Sequence, residues 1–513
     1  MLKKIFSTKI NVAANFISSI WIGFLSIIFV PLYLPYIGIE AYGLIGIFMS
    51  VQAFINLLDF GLSPTINVEL AKLSALKDQS QEMHNLKRTL EVVNWFLAIF
   101  IALSLCALTP LIARLWIQPN NLSVETITQA FIIMSVNIAI QFSANLYAGG
   151  LMGLQKQVSL NVINIVCGTL RSVGAFVVLI YFSPTIQAFL LWQGLIALLQ
   201  GIMFAVTLKF SLPNASTKGR FQKELLYKIG SFATGMTGIG IGSLILSQTD
   251  KVILSRMLTL ETFGYYMLAV TISSMAMSML VGSITHAVYP RFSQFVSTGD
   301  ENQLREFYHL SCQTVSAFLF PVTIVFALFS YDILLVWTGK EEIAVNTYSL
   351  LSLIAIGTGF NSLLWLPYSL QFAHSWTKLL FYLNIVMIFT VVPLMIAGVY
   401  KYGAIGGATA WIVLNAAYLV VAVQFMHRKI LKGELLRWYL EDLAMPFIAA
   451  LLAAVIGKIL LTSNGTKTET FVGLIAVSIF TFSAAALSTK AMRNHLKNII
   501  KYIHNFNVEQ SRK

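Results

Sequence analysis

A chain of 513 residues that is 57% hydrophobic and only 11% charged, with a mean hydropathy of +0.77, is not a soluble globular protein, because soluble domains carry about 25% charged residues. Its apolar residues come in blocks of about 20, the length an α-helix needs to cross a hydrocarbon core roughly 30 Å thick. The composition therefore predicts an all-α polytopic membrane protein, and the net charge of +13 has to be read against a bilayer first.

The first apolar block, 12–34, follows the basic stretch MLKKIFSTKIN. It is too long for a signal-peptide core and no small-residue cleavage site follows, so it reads as a membrane helix. The second block, 41–62, runs into INLLDFGLSPTIN (55–67), where Asp59 interrupts the apolar run and Gly61 and Ser63-Pro64 break it. Ser63 as N-cap and Pro64 at the first position predict a new surface helix over 64–76. Asp59 then reads either as a group capping the inner end of the second helix or as a charge that gates a cavity. Blocks at 92–116, 127–149, 159–182 and 185–208 follow. The fifth helix contains Arg171, about 13 residues and roughly 20 Å from its start at 1.5 Å per residue. An arginine at that depth costs about 2.5–3.5 kcal/mol on insertion scales. It should face a buried partner or a wet cavity that receives an anion.

Eight further blocks, 229–250, 264–288, 310–337, 345–372, 379–400, 404–426, 443–462 and 469–489, bring the expected total to fourteen. Helix 7 carries GMTGIGIGS (235–243), whose small residues suit close packing or bending. It ends in Asp250-Lys251, adjacent residues about 100° apart on a helix and so not expected to pair with each other. His286 and Arg291, at the inner end of helix 8, are placed to flank a cytoplasmic mouth. Trp116, Trp337 and Trp438 read as interfacial anchors. Cys106, Cys167 and Cys312 lie inside apolar blocks, which argues against a disulfide framework. The histidines show no metal spacing, and there is no phosphate-binding GxxxxGK[ST].

Lysine and arginine orient the chain. With the N-terminus inside, 26 of the 34 fall on cytoplasmic segments, seven at or near the outer face, and Arg171 in mid-membrane. Both termini are thus expected in the cytoplasm. The positive charge is mainly an orientation signal, and no nucleic-acid partner is expected.

An internal repeat is visible at an offset of 221 residues. Glu40-Ala-Tyr-Gly43 matches Glu261-Thr-Phe-Gly264, Leu115-Trp116 matches Val336-Trp337, and Tyr147 matches Tyr368. Leu160-Asn161 matches Leu383-Asn384 two residues out of register. Six helices separate equivalent positions, so the halves should be parallel about a pseudo-two-fold along the membrane normal, as in secondary transporters. The expected organisation is a six-helix lobe over 1–208, a cytoplasmic linker over 209–228, and a second lobe over 229–426. Helices 13 and 14 follow over 427–489, then a basic cytoplasmic tail over 490–513.

Three motifs carry a family resemblance. DFGLSPT (59–65), QTDKVILSRMLTLETFGYYMLA (248–269) and YPRFSQ (289–294) resemble the polysaccharide-transporter branch of the multidrug/oligosaccharidyl-lipid/polysaccharide exporters. This is the branch of the O-antigen flippases, with the lipid II flippases as relatives. The motifs are short, and their order along nearly the whole chain carries the likeness. The resemblance implies a non-enzymatic flippase of the bacterial inner membrane. It would move an undecaprenyl-pyrophosphate-linked oligosaccharide from the inner to the outer leaflet by alternating access. No cofactor is implied; the drive would be an H+ or Na+ gradient or the membrane potential. The partners implied are the lipid-linked glycan, the bilayer, and the polymerase and chain-length regulator of the same pathway. The family's cation-lined cavity would fall on Arg171, with Lys251 and Arg291, while Asp59, Asp250 and His286 are the gating or coupling candidates. Lipid II flippases carry arginines in their first two helices, whereas this chain has no Lys or Arg between Ile10 and Lys72, which favours another glycan. A prenyl tail can remain in hydrocarbon, and helices 13 and 14 offer a groove for it. Two alternatives stand beside this reading: a cation-coupled drug antiporter, typically of twelve helices, and a membrane glycan polymerase or ligase, which needs a sizeable outer loop or a catalytic cluster.

Overall fold

The computed structural model describes residues 2–57, 59, 61–76, 78–215, 217–223, 242–461 and 466–494. Among them every regular element is helical, and eleven helices are long and apolar enough to cross a membrane. Two of the eleven are double. Helix α1 (Leu2–Leu57) is divided at Gly38, with φ 80° and ψ 162°, and the long helix Lys378–Lys429 at Gly403, with φ 59° and ψ −139°. Only glycine adopts such angles without strain. The two breaks fall in the gaps between blocks 12–34 and 41–62 and between blocks 379–400 and 404–426. The start of expected helix 7, including most of GMTGIGIGS, the end of the linker over 224–228 and the tail beyond 494 lie outside the described residues.

By contacts the chain forms two compact units, Met1–Gly264 and Tyr265–Lys513. The first contains α1, α2 (Leu62–Ser74), α3 (Ser80–Leu111, extended by a π-helical turn Ile112–Trp116), α4 (Val124–Gly153), α5 (Gln157–Tyr181) and α6 (Ile186–Ser211). The described part of α7 (242–257) and the first turn of α8 (Leu260–Thr298) complete it. Helix α4 is the centre of this unit, touching α2, α3 and α6, while α5 lies between α1 and α6. Small residues set the close approaches. Gly149 and Gly153, four apart on α4, abut the backbone carbonyls of Ser63 and Asn67 on α2, the small-xxx-small device of membrane helices.

The second unit continues with α9 (Glu301–Leu328), α10 (Ser330–Thr338), α11 (Glu341–Leu363), α12 (Trp365–Ala373) and α13 (Lys378–Lys429). It ends with α14 (Leu435–Leu460), which contains a π-helical stretch Trp438–Ala444, and α15 (Lys467–Ser488). These last two helices pack on each other and on α9.

Several boundaries differ from expectation, for one reason. An apolar block marks only the part of a helix that sits in hydrocarbon, whereas backbone hydrogen bonding continues into polar sequence. So α3 begins at Ser80 instead of 92 and α9 at Glu301 instead of 310. Helix α8 runs through Pro290 to Thr298, which places YPRFSQ inside it. Trp438 is a second correction: it is 1% exposed, packed beside the rings of His427 and Tyr439, and is no interfacial anchor.

Candidate functional site

Helix α5 carries polar residues at helical spacing. Asn161, Asn164 and Arg171 recur three or four residues apart or at multiples of that step, so they share one side. Val158, Val162, Val166, Val173 and Val177 form an exposed stripe on another side, suited to lipid. Arg171 is thereby turned toward α6, where its Nη2 donates to Gln200 Oε1 at 2.8 Å. Gln200 Nε2 donates in turn to Asn164 Oδ1 at 2.8 Å. The Nε of Arg171 is buried with no hydrogen-bond partner among the described residues, and no carboxylate lies within ion-pair distance of the guanidinium among them. The first arm of α1 makes further polar contacts with α5. Trp21 Nε1 donates to Thr169 Oγ1 at 2.9 Å, Tyr33 Oη to the Ser172 carbonyl at 2.8 Å, and Asn161 to Asn15. A cation held by amides instead of by an acid keeps its charge for a ligand. Its planar fork suits phosphate oxygens, and the neighbouring amides suit sugar hydroxyls.

The other sequence candidates are arranged differently. Asp59 lies in the turn between α1 and α2 and is buried. Its Oδ2 accepts the Ser63 N–H at 2.9 Å, while Gly61 occupies the N-cap position. The capping assignment thus reverses: Asp59, not Ser63, caps, and the helix it caps is the following one, α2. The cause is that α2 starts at Leu62, two residues earlier than expected, which brings the Ser63 N–H within reach of the carboxylate. Burial raises the Asp59 carboxyl above its ordinary range, with the Ser63 N–H opposing.

Asp250 and Lys251 do pair, at 3.1 Å between Lys251 Nζ and Asp250 Oδ1. The Cβ directions diverge as expected, but the four-carbon lysine stem folds back; it also reaches the Ser247 carbonyl at 2.7 Å. The charge of Lys251 is therefore compensated by its neighbour. In the second unit, His286 is exposed and Arg291 sits 5.5 Å from the Phe307 ring centre. Arg171 hydrogen-bonds to neither Asp59 nor Lys251.

A second feature of the first unit joins the repeated motifs themselves. A Cβ on Gly43 would stand 2.6 Å from the Leu260 carbonyl, and one on Gly264 would run into the Ile39 carbonyl. Gly43 and Gly264 are repeat mates, and so are Ile39 and Leu260. The α3–α4 loop clasps both motifs. Glu40 accepts from the backbone N–H groups of Asn120 at 2.6 Å, Asn121 at 3.0 Å and Leu122 at 3.2 Å. Asn120 Nδ2 donates to Glu261 at 2.9 Å, the Leu260 N–H to the Gln118 carbonyl at 2.8 Å, and Trp116 Nε1 to Ser255 Oγ at 3.1 Å. Sequence reasoning found the motifs as a repeat but not their contact, since a repeat says nothing of which surfaces meet. It also missed Gln200 and Asn164, whose neutral amides give no signal in an apolar block.

Residues 36–342, more than half the chain, match the family model described as polysaccharide biosynthesis protein. The chain belongs to that family. Among curated relatives it is 22% identical over 390 residues to a Shigella flexneri protein named as an O-antigen transporter, covering 75% of this chain and 90% of the relative. It is 23% identical over 455 residues to the succinoglycan biosynthesis transport protein ExoT of Rhizobium meliloti (strain 1021), covering 86% and 84%. In fold it is similar to the lipid II flippase MurJ in an inward closed conformation, with TM-score 0.69, 16% identity and coverage of 93% and 98%. It is also similar to an inward-facing multidrug resistance transporter of the MATE family, with TM-score 0.64, 14% identity and coverage of 83% and 96%. The fold is shared with these transporters. This member is a multi-pass membrane protein whose relatives are transporters.

Proposed function

We propose that this family member flips an undecaprenyl-pyrophosphate-linked oligosaccharide from the inner to the outer leaflet of the bacterial cytoplasmic membrane. The observation that carries the reading is Arg171, a membrane-helix cation whose partner is Gln200 and not an acid. A glycan pyrophosphate cannot cross hydrocarbon alone, and in a cleft of low effective dielectric one cation acts far more strongly on it than in water. The Gln200 and Asn164 amides beside it serve the sugar. The reciprocal contact of the 38–43 and 259–264 motifs is the closed gate on the outer side. It parts when the head group leaves, so the transport is alternating access. The glycan-specific names of the curated relatives favour this cargo over a drug cation.

The test is Arg171→Ala and Arg171→Lys in a strain that lacks its own flippase, reading surface glycan beside protein level and thermal stability. Arg171→Ala should stop export from a stable protein and Arg171→Lys restore part of it, because Lys cannot reproduce the bidentate fork. Normal export from Arg171→Ala removes Arg171 from the site.

A further inference from the structure

Another group of ionisable side chains lies wholly inside the second unit. His309 on α9 is 1% exposed and Asp442 on α14 is fully buried. His309 Nδ1 is 2.5 Å from Asp442 Oδ2, and its Nε2 is 3.1 Å from Oε2 of Glu434, the residue just before α14. Asp442 Oδ1 accepts from Gln313 Nε2 at 3.0 Å, and Gln313 Oε1 accepts the Ala491 N–H at 3.0 Å. One imidazole thus bridges α9 to α14, and the neighbouring Gln313 adds the short helical stretch that follows α15.

A proton count follows from this geometry. A neutral imidazole has one N–H donor and one lone-pair nitrogen, while an ionised carboxylate only accepts. With both ring nitrogens facing carboxylate oxygens, a neutral ring would set a lone pair against an oxygen at one contact. Both contacts close only when the three side chains together hold one more proton, on the ring or on a carboxylate. Burial points the same way. Ionised Asp442 beside a neutral ring, with Gln313 as its other donor, would be an uncompensated charge away from water. Glu434 is better supplied, with Arg305 at 3.9 Å and Arg437 at 3.6 Å, so the extra proton belongs between His309 and Asp442. The flanking groups are Tyr308 and Cys312 on α9, His427 on α13, and Tyr439 and Glu441 on α14. His427 lies 5.8 Å from Tyr308 between ring centres. Glu441 and Glu306 are held by Arg437 at 3.3 and 3.4 Å, and Glu301 by Arg305 at 3.3 Å.

We infer that His309, Asp442 and Glu434 form a proton-binding site whose occupancy holds the C-terminal helix pair, α14 and α15, on α9. Loss of the proton leaves a lone pair against a carboxylate inside the junction and loosens the pair. The site does not depend on what the protein carries.

The test uses the full-length protein, unfolded reversibly in mixed micelles across a pH series. A site filled in the folded state and empty in the unfolded one makes the folded state bind more protons, so stability falls as pH rises. The unfolding constant should climb about tenfold per pH unit above about pH 6.5, the ordinary histidine value, until the site empties. Asp442→Asn can satisfy a neutral ring, its amide donating to Nδ1 while Nε2–H donates to Glu434, so its curve should stay flat over that range. Should Asp442→Asn fail to fold, the histidine spectrum of the wild type carries the test. Nitrogen-15 NMR of histidine-labelled protein, assigned by the signal lost in His309→Gln, should show a ring bonded through protons at both nitrogens at neutral pH. Parallel pH curves for wild type and the folded variant, or a neutral His309 beside two ionised carboxylates, would overturn the inference.

Discussion

Gly43→Ala probes the contact between the repeated motifs most directly. The added methyl stands 2.6 Å from the Leu260 carbonyl oxygen and 3.3 Å from the Gly264 nitrogen. Backbone atoms cannot rotate away, so the two motifs must separate by roughly 0.8 Å to restore ordinary contact, and overpacking of this kind costs about 1–3 kcal/mol. Alanine also favours the helix by about 0.5–1 kcal/mol over glycine. That gain is common to every conformation, so only the steric cost shifts the balance between closed and open. The closed state should lose roughly 5- to 150-fold in relative population, at a factor of ten for each 1.4 kcal/mol. The readout is maleimide labelling of Leu260→Cys in a variant lacking Cys106, Cys167 and Cys312. Leu260 is 2% exposed and its side chain lies at the contact, so Gly43→Ala should speed its labelling several-fold while leaving protein level unchanged. Labelling within twofold of the parent, from a well-folded protein, refutes the gate.

At the α1–α2 turn, Asp59→Ala removes the cap on Ser63 and should cost about 1 kcal/mol, while Asp59→Asn should cost only a few tenths because the amide oxygen still accepts. Since burial raises the folded Asp59 carboxyl, its contribution is fully present below the ordinary aspartate value of about 4 and is lost as pH rises through the folded value. Asp59→Asn should therefore flatten the decline in melting temperature over that window; a steeper decline would contradict the shift. Glu40→Ala leaves three backbone N–H groups without their acceptor, and thermal denaturation should show a loss of about 2 kcal/mol or more. Reporters fused after Lys218 and Lys432 should read cytoplasmic and those after Asn121 and Lys340 external; an external signal at Lys218 would contradict the orientation.

Composition and the length of the apolar blocks determined the all-helical membrane class, because hydrocarbon accepts only backbones whose hydrogen bonds close locally. They also placed the breaks at Gly38 and Gly403, where polar gaps and glycine coincide. The isolated charge at Arg171 stood out for the same reason: a cation is rare in a block that must be apolar, so each one is a signal. What sequence could not show was which groups meet. Gln200 and Asn164 are ordinary amides until α5 and α6 bring them to Arg171, and Asp250 and Lys251 diverge on paper until the lysine stem bends back. His309 and Asp442 are 133 residues apart, and Gly43 and Gly264 are linked only by repetition until their backbones touch. Local patterning records the solvent each residue meets, whereas partners are chosen by packing, and packing belongs to the tertiary structure.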